Sequence, residues 1–321
     1  MTPAAEAVQR FAADLTALGP TGGSIGLAVS GGPDSLALLL LAHAALGNRC
    51  RVATVDHRLR PEAAAEATHV ARICADLGVP HDILTVEWAA PPTANLQARA
   101  REERYALLGR WALANRLDAL LTGHHADDQA ETLLMRLARG AGVSGLAGIR
   151  PKSTLIEADG HVVRRLRPLL GWRRADLVDV VAAAGIEAVD DPTNRDPRHD
   201  RTKARQLLTT ANWIDSLRVS ASAAALRDVE EAMDWAVAPL AEQRIARRGD
   251  ALVLDPAGLP RELVRRLLLA AFARLAAPLP RGPELMRAIA TLDQGGTTTL
   301  SGLCLIGGET WRLFPEPPRI R

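Results

Sequence analysis

The strongest local signal for chemistry in this sequence is the segment Ser30-Gly31-Gly32-Pro33-Asp34-Ser35, which stands between a short apolar run and an apolar helix-like stretch. Its two glycines let the backbone approach an anion closely, while the serine hydroxyls and the free N–H groups of a helix start supply donors. A Walker A loop is excluded because it requires a lysine, and no lysine occurs before Lys152. The segment therefore predicts a phosphate-binding loop of another type.

The carboxylate of Asp34 stands where a Walker A loop would have its lysine. A carboxylate repels bound phosphates unless a divalent cation lies between them, so we interpret Asp34 as a Mg²⁺ ligand. The alternative is an ordinary acidic residue in the first turn of a helix, where it stabilises the helix dipole.

A second concentration of polar side chains lies at residues 122–132, where a predicted strand runs into a helix. Asp128 and Glu131 are three positions apart and share a helix face, and His124 and His125 stand at the turn before them. The spacing lacks H-E-x-x-H, and no cysteine is near, which disfavours zinc. The carboxylates suit an amine-bearing substrate or Mg²⁺; the alternative is N-terminal helix acids beside two turn histidines.

Nearly all of the basic residues are arginines, and they cluster in two windows, 164–174 and 195–205. The net charge of +2 says little because it averages over this uneven distribution. Each window could face phosphate, and the alternative is a solvated basic face.

Short apolar runs alternate with helix-length stretches in the first half of the chain. The runs are 25–29, 51–55, 83–86 and 119–122, and the stretches between them are 34–46, 62–77 and 96–116. This alternation predicts an α/β fold, with a parallel sheet covered by helices on both faces and the functional groups at the carboxyl ends of the strands.

A chain of 321 residues is long enough for two domains, and we place the boundary near residue 215. Residues 1–215 then form the catalytic domain. Residues 216–321 form a smaller α+β domain, with a long Ala-rich helix at 216–245 and two β segments joined by Gly307-Gly308.

Three cysteines without a C-x-x-C pair argue against a disulfide framework, an iron–sulfur site and secretion. The longest apolar stretch, residues 36–46, is too short to span a membrane. We therefore expect a cytoplasmic protein without a membrane partner.

The two polar segments together resemble the N-type ATP pyrophosphatase (PP-loop) family, whose signature is S-G-G-x-D-S, and within it the tRNA(Ile)-lysidine synthases. Further motifs occur in order between residues 24 and 205. They resemble V-D-H-G-L-R at 55–60, A-R-x-x-R-Y at 100–105, R-G-x-G-x-x-G-L-x-G-I at 139–149, R-P-L-L at 167–170 and D-P-T-N at 191–194. The sequence departs from the family pattern in two motifs: Arg58 replaces a glycine in the first, and Thr202 and Ala204 replace the asparagine and the isoleucine of R-N-x-I-R in the second.

The resemblance implies an adenine nucleotide α-hydrolase-like fold and a C–N ligase reaction in two steps. ATP would adenylate the C2 oxygen of the wobble cytidine of tRNA(Ile) with a CAU anticodon, releasing pyrophosphate. The ε-amine of L-lysine would then attack C2 and expel AMP, which leaves more readily than the original oxygen. The C-terminal domain would position the tRNA. Whether the protein forms a homodimer is left open.

The resemblance also implies roles for individual residues. Residues 30–35, Asp56 and His57 would bind ATP with Asp34 on Mg²⁺, and His124, Asp128 and Glu131 would hold lysine. Arg101, Arg201 and Arg205 would contact phosphates. Asp128 or Glu131 would accept the proton of the amine or only anchor it, and both alternatives remain.

Two other functions compete with this one. Other ATP pyrophosphatases, such as tRNA thiolases and amide-forming ligases, share the S-G-G-x-D-S signature, although the cysteine spacing argues against a thiolase. A nucleotide-sensing module without catalysis would leave the acidic residues after position 126 without a purpose.

Overall fold

The computed structural model describes residues 2–19, 22–59, 62–88, 96–189, 200–211 and 213–316. The chain divides into two compact units, Met1–Arg227 and Asp228–Arg321. The boundary predicted from the sequence lies at the first residue of the helix Ser216–Arg244.

The first unit contains a six-stranded sheet in the order β3-β2-β1-β4-β6-β5. Its strands are β1 (Ile25–Ala28), β2 (Cys50–Asp56), β3 (His81–Thr85), β4 (Ala119–Thr122), β5 (Lys152–Ala158) and β6 (His161–Leu166). All neighbours pair in parallel except β5, which is antiparallel to β6. The carboxyl ends of β1, β2, β4 and β6 therefore meet at one edge, and the predicted α/β fold is confirmed.

Helices cover both faces of this sheet. The helices of the first unit are α1 (Ala5–Ala17), α2 (Pro33–Leu46), α3 (Ala63–Leu77), α4 (Leu96–Ala114), α5 (Ala126–Ala138), α6 (Val143–Leu146), α7 (Arg174–Ala183) and α8 (Asp200–Thr210), and the last of these packs on α5. On one face α2 is apolar around its whole circumference because it lies between the strands and α1 and α7. On the other face α4 packs across β2, β5 and β6 through Leu108 and Trp111.

The second unit is built on a five-stranded antiparallel sheet in the order β7-β8-β11-β10-β9. Its elements follow the long helix α9 (Ser216–Arg244) and are β7 (Ile245–Arg248), β8 (Ala251–Leu254), α10 (Arg261–Arg274), α11 (Gly282–Asp293), β9 (Thr297–Leu300), β10 (Leu303–Ile306) and β11 (Trp311–Pro315). The core between this sheet and α10 and α11 centres on Phe272 and Trp311. The predicted smaller α+β part is confirmed. Within the described part of the chain, no helix is long and apolar enough to cross a membrane.

Candidate active site

The predicted phosphate loop connects β1 to α2 at the carboxyl edge of the sheet. Gly31 has φ +88°, a left-handed conformation that favours glycine, and a Cβ there would lie 3.1 Å from the Val189 side chain. The Ser35 hydroxyl donates to the carbonyl of Gly32 at 2.9 Å and accepts from the N–H of Ser30 at 3.1 Å. The loop is thus closed on itself and aims the start of α2 at the sheet edge.

The carboxylate of Asp34 leaves one oxygen without a hydrogen bond. Its Oδ2 lies 3.5 Å from Nε2 of His125, and its Oδ1 lies 3.7 Å from Nε of Arg174 without accepting a hydrogen bond, although this oxygen is buried. An unpartnered carboxylate oxygen beside a phosphate loop fits Mg²⁺, which is usually held by one or two carboxylates together with substrate phosphates. Among the described residues no group of three or more potential ligands forms a complete metal site.

Four carboxylates and four cations meet where β1 and β4 end, and we call this set the carboxylate cluster. The carboxylates are Asp34, Asp127, Asp128 and Glu131, and the cations are His125, Arg174, Arg201 and Arg205. Its charges balance within the chain.

Glu131 is the most buried carboxylate of the carboxylate cluster, with 1% of its surface exposed. Its Oε2 accepts from Nε of Arg201 at 2.6 Å, and its Oε1 accepts from Nε of Arg205 at 2.7 Å. Arg201 also donates to Asp128 through Nη2. The carboxylates predicted to hold lysine are therefore paired with the arginines predicted to contact phosphates.

The adjacent histidines at the end of β4 have opposite pKa shifts. Burial lowers the pKa of His124 to about 3, and its Nδ1 lies 2.9 Å from the Thr122 hydroxyl. Burial also opposes the charge of His125, but the carboxylates of Asp127, Asp34 and Asp128 raise its pKa to about 10. At neutral pH His124 is neutral and His125 is a cation.

The end of β2 holds the predicted nucleotide contacts Asp56 and His57. Asp56 accepts the N–H of Arg58 through Oδ1 at 2.8 Å. The imidazole of His57 accepts from Nε of Arg104 at 3.3 Å, and burial, together with this guanidinium, lowers its pKa to about 4.

The end of β4 and the phosphate loop touch through the backbone. A Cβ on Gly123 would lie 2.8 Å from the carbonyl oxygen of Asp34 and 3.3 Å from the N atom of Ser35. Contacts below 3.0 Å are not tolerated when the neighbour is backbone. Glycine at 123 therefore allows the two segments to approach this closely.

The PP-loop domain family matches residues 3–211 of the chain. The tRNA(Ile)-lysidine synthase of Zymomonas mobilis is 47% identical over 94% of this chain and 91% of its own length, and that of Novosphingobium aromaticivorans is 46% identical over 92% and 90%. The chain belongs to the tRNA(Ile)-lysidine synthases of the PP-loop family. Because the PP-loop family binds ATP, its membership indicates that this chain uses ATP.

A solved structure shares the fold at much lower identity. The U34-tRNA thiolase NcsA of Methanococcus maripaludis superposes with a TM-score of 0.57 at 14% identity, over 70% of this chain and 79% of the other. This similarity supports the PP-loop fold.

Two of the departures from the lysidine synthase pattern have different structural settings. Arg58 has φ +51°, which explains why the family pattern has a glycine there. Thr202 is buried on α8, between the two arginines of the carboxylate cluster.

Arg101 does not join Arg201 and Arg205. It lies on α4, with its guanidinium carbon 5.0 Å from the centre of the Tyr105 ring. The motif at 191–194 and the residues Arg60, Arg195 and Arg198 lie outside the described residues.

Sequence reasoning did not assign site roles to His125, Asp127 or Arg174. Asp127 accepts the backbone N–H of Arg174 through Oδ2 at 2.8 Å. Despite burial, the His125 cation and this hydrogen bond lower the pKa of Asp127 to about 2. The signals in the sequence were the position of His125 and Asp127 at the end of a predicted strand and that of Arg174 in the arginine window 164–174.

Proposed function

We propose that this chain ligates L-lysine to C2 of the wobble cytidine of tRNA(Ile) with a CAU anticodon, consuming ATP and producing lysidine, AMP and pyrophosphate. The observation that carries the proposal is that a phosphate loop and the carboxylates of Asp128 and Glu131 stand at the ends of two adjacent parallel strands. The names of the relatives support it. Adenylation first turns the C2 oxygen into a good leaving group.

The phosphate loop would bind the triphosphate of ATP through the backbone N–H groups at the start of α2 and the hydroxyls of Ser30 and Ser35. Asp34 would hold Mg²⁺, which when bound neutralises the pyrophosphate leaving group. Asp56 and His57 at the end of β2 would contact the nucleotide.

The lysine ε-ammonium would bind at Asp128 and Glu131 in place of the Arg201 guanidinium. These carboxylates already bind a cation of the same charge, so exchanging one for the other leaves the charges of the carboxylate cluster balanced. The released arginine, together with Arg205, would be free to contact phosphate.

The amine must lose a proton before it attacks, since the reference pKa of a lysine side chain is about 10.4. His124 is a poor acceptor because burial holds its pKa near 3. Asp128 and Glu131 are the other candidates, and each would either accept the proton or only anchor the amine.

The direct test combines the purified protein with bulk bacterial tRNA, Mg·ATP and labelled lysine. We expect acid-stable label on RNA that maps to cytidine, with AMP and pyrophosphate formed in equal amounts. Asp34→Ala should abolish this turnover, and the exposed Asp179→Ala on α7 is the matched control. Full turnover of Asp34→Ala refutes the role of Asp34.

The other outcomes identify competing functions. Thiolated nucleosides in the product would indicate a tRNA thiolase, and amide formation without RNA labelling would indicate a different ligase. ATP binding without pyrophosphate release under any supplement would indicate a nucleotide sensor. Size-exclusion chromatography with light scattering tests the homodimer, and we propose a cytoplasmic location because the substrate is tRNA.

A further inference from the structure

A second charged cluster lies at the same edge of the sheet, near the ends of β2 and β6. It consists of four arginines around Tyr105 and His57, and we call it the guanidinium cluster: Arg101, Arg104, Arg165 and Arg167. The guanidinium carbon of Arg165 lies 4.3 Å from the centre of the Tyr105 ring, and the guanidinium carbon of Arg101 lies 5.0 Å from the same centre. The aromatic ring thus holds two of the four guanidinium groups in place.

The guanidinium cluster has no internal counter-charge. Across the described ranges, none of the four arginines forms an ion pair with a carboxylate. Two of them bond to neutral groups: Arg104 donates to the imidazole of His57, and Arg165 donates to the hydroxyl of Ser153 at 3.3 Å. Arg101 and Arg104 are exposed to solvent, Arg165 is half-buried and Arg167 is buried, so water compensates these like charges only in part and an anion would bind favourably.

Arg167 is the strongest indication of a ligand. Only 4% of its surface is exposed, and its Nη1 donates to the carbonyl of Arg150, yet its Nε has no acceptor. Burial and the charges of Arg165 and Arg101 lower its pKa to about 10. A buried donor without a partner costs free energy, which a bound anion would recover.

The position of the guanidinium cluster separates it from the phosphate loop. Arg101 and Arg104 lie on α4, which packs across β2, β5 and β6, whereas the loop leads into α2 on the other face of the sheet. The charges of Arg167 and Arg101 act on His124, at the end of β4. The guanidinium cluster therefore borders the end of β4, where lysine is proposed to bind.

We propose that the guanidinium cluster binds a phosphodiester group of the RNA strand beside the cytidine that is modified. This inference rests on the proposed function. Arginine suits the task because its planar fork pairs with two phosphate oxygens, and a single-stranded loop exposes its phosphates between unstacked bases.

The test compares Arg165→Gln with Arg164→Gln. Both variants remove one positive charge from β6, but the exposed Arg164 precedes the cluster member by one residue and so points to the opposite side of the strand. For a tRNA(Ile) transcript with a CAU anticodon, Arg165→Gln should weaken binding about 10-fold. The slope of the logarithm of the binding constant against the logarithm of the salt concentration should become shallower by about 0.7. The control should change binding less than about twofold.

The binding assay uses neither ATP nor lysine, so it succeeds or fails independently of lysine ligation. Arg165→Lys should recover less than half of the loss, because lysine keeps the charge but not the fork. Equal effects of Arg165→Gln and Arg164→Gln would overturn the proposal. An increased KM for ATP with unchanged RNA binding would overturn it too, because the cluster would then belong to the nucleotide.

Discussion

The carboxylate cluster and the guanidinium cluster lie at one edge of one sheet and differ in whether their charges are balanced within the chain. The carboxylate cluster matches four carboxylates with four cations from the same chain. The guanidinium cluster, within the described residues, matches four cations with none. A balanced cluster must exchange a partner when it binds a charged substrate, whereas an unbalanced one gains a partner.

The difference teaches which charge each cluster selects. Replacing the cation that pairs with Asp128 and Glu131 by another cation changes the free energy little, since the desolvation of these carboxylates is unchanged. Adding an anion to four arginines relieves their mutual repulsion as well. We therefore expect the two clusters to respond differently to the same kind of charge removal.

The largest effect is expected for Glu131→Gln in the carboxylate cluster. The variant removes the charge that holds both Arg201 and Arg205, so lysine should lose its anchor and kcat/KM for lysine should fall about 100- to 1000-fold. Steady-state kinetics with lysine as the varied substrate measures this loss. The exposed Glu157→Gln on β5 is the control, and an equal loss there would contradict the assignment.

A smaller effect is expected from the His125 cation. Its pKa is raised from 6.5 to about 10 on folding, so its stabilisation is fully present below pH 6.5 and is lost as the pH rises through 10. The free energy of unfolding should fall by a few kcal/mol over that range in the natural protein and by less in His125→Gln.

Urea denaturation across this pH range measures the His125 effect. His161→Gln at the start of β6 is the control and should follow the natural protein. Parallel pH curves for the natural protein and His125→Gln would show that another group carries the dependence.

Arg201→Gln tests whether the chain's own arginine competes with lysine. The variant should lower the KM for lysine about fivefold, because the carboxylates of Asp128 and Glu131 lose their internal cation. Lys203→Gln removes an exposed charge from the same helix and should leave that KM unchanged. An increased KM in Arg201→Gln would mean that Arg201 orients the carboxylates instead.

The smallest effect is expected for Arg58→Gly, which changes the backbone next to His57 at the guanidinium cluster. It relieves the left-handed conformation of Arg58 and should raise the free energy of unfolding by at most about 1 kcal/mol. Arg116→Gly, which relieves the same φ of +51° at the end of α4, should give a similar gain. Thermal denaturation of both variants checks this expectation.

Most of the first sheet could be predicted because its central strands are short apolar runs with helices between them. Strand β5 was not predicted, since Lys152–Ala158 lies at the sheet edge and is partly exposed, with polar residues along its length. Helix α11 was missed because its first turn, Gly282-Pro283, has the composition of a chain turn.

The candidate site, too, could be predicted from the sequence only in part. The phosphate loop is local in the sequence, so its composition was sufficient to predict it. The pairing of Arg201 with Glu131 joins residues 70 positions apart, and only the fold brings them together. The charge of His125 depends on carboxylates that follow two different strands, and the spacing of residues in the sequence does not show that these carboxylates meet.

The missing methyl group at Gly123 has a mechanical consequence. Because the backbone after β4 lies directly on the backbone of Asp34, the phosphate loop and the segment after β4 cannot separate without losing this contact. Arg201 and Arg205, which pair with Glu131, lie on the separate helix α8 and take no part in this backbone contact. We therefore expect the phosphate loop and the segment after β4 to move as one unit.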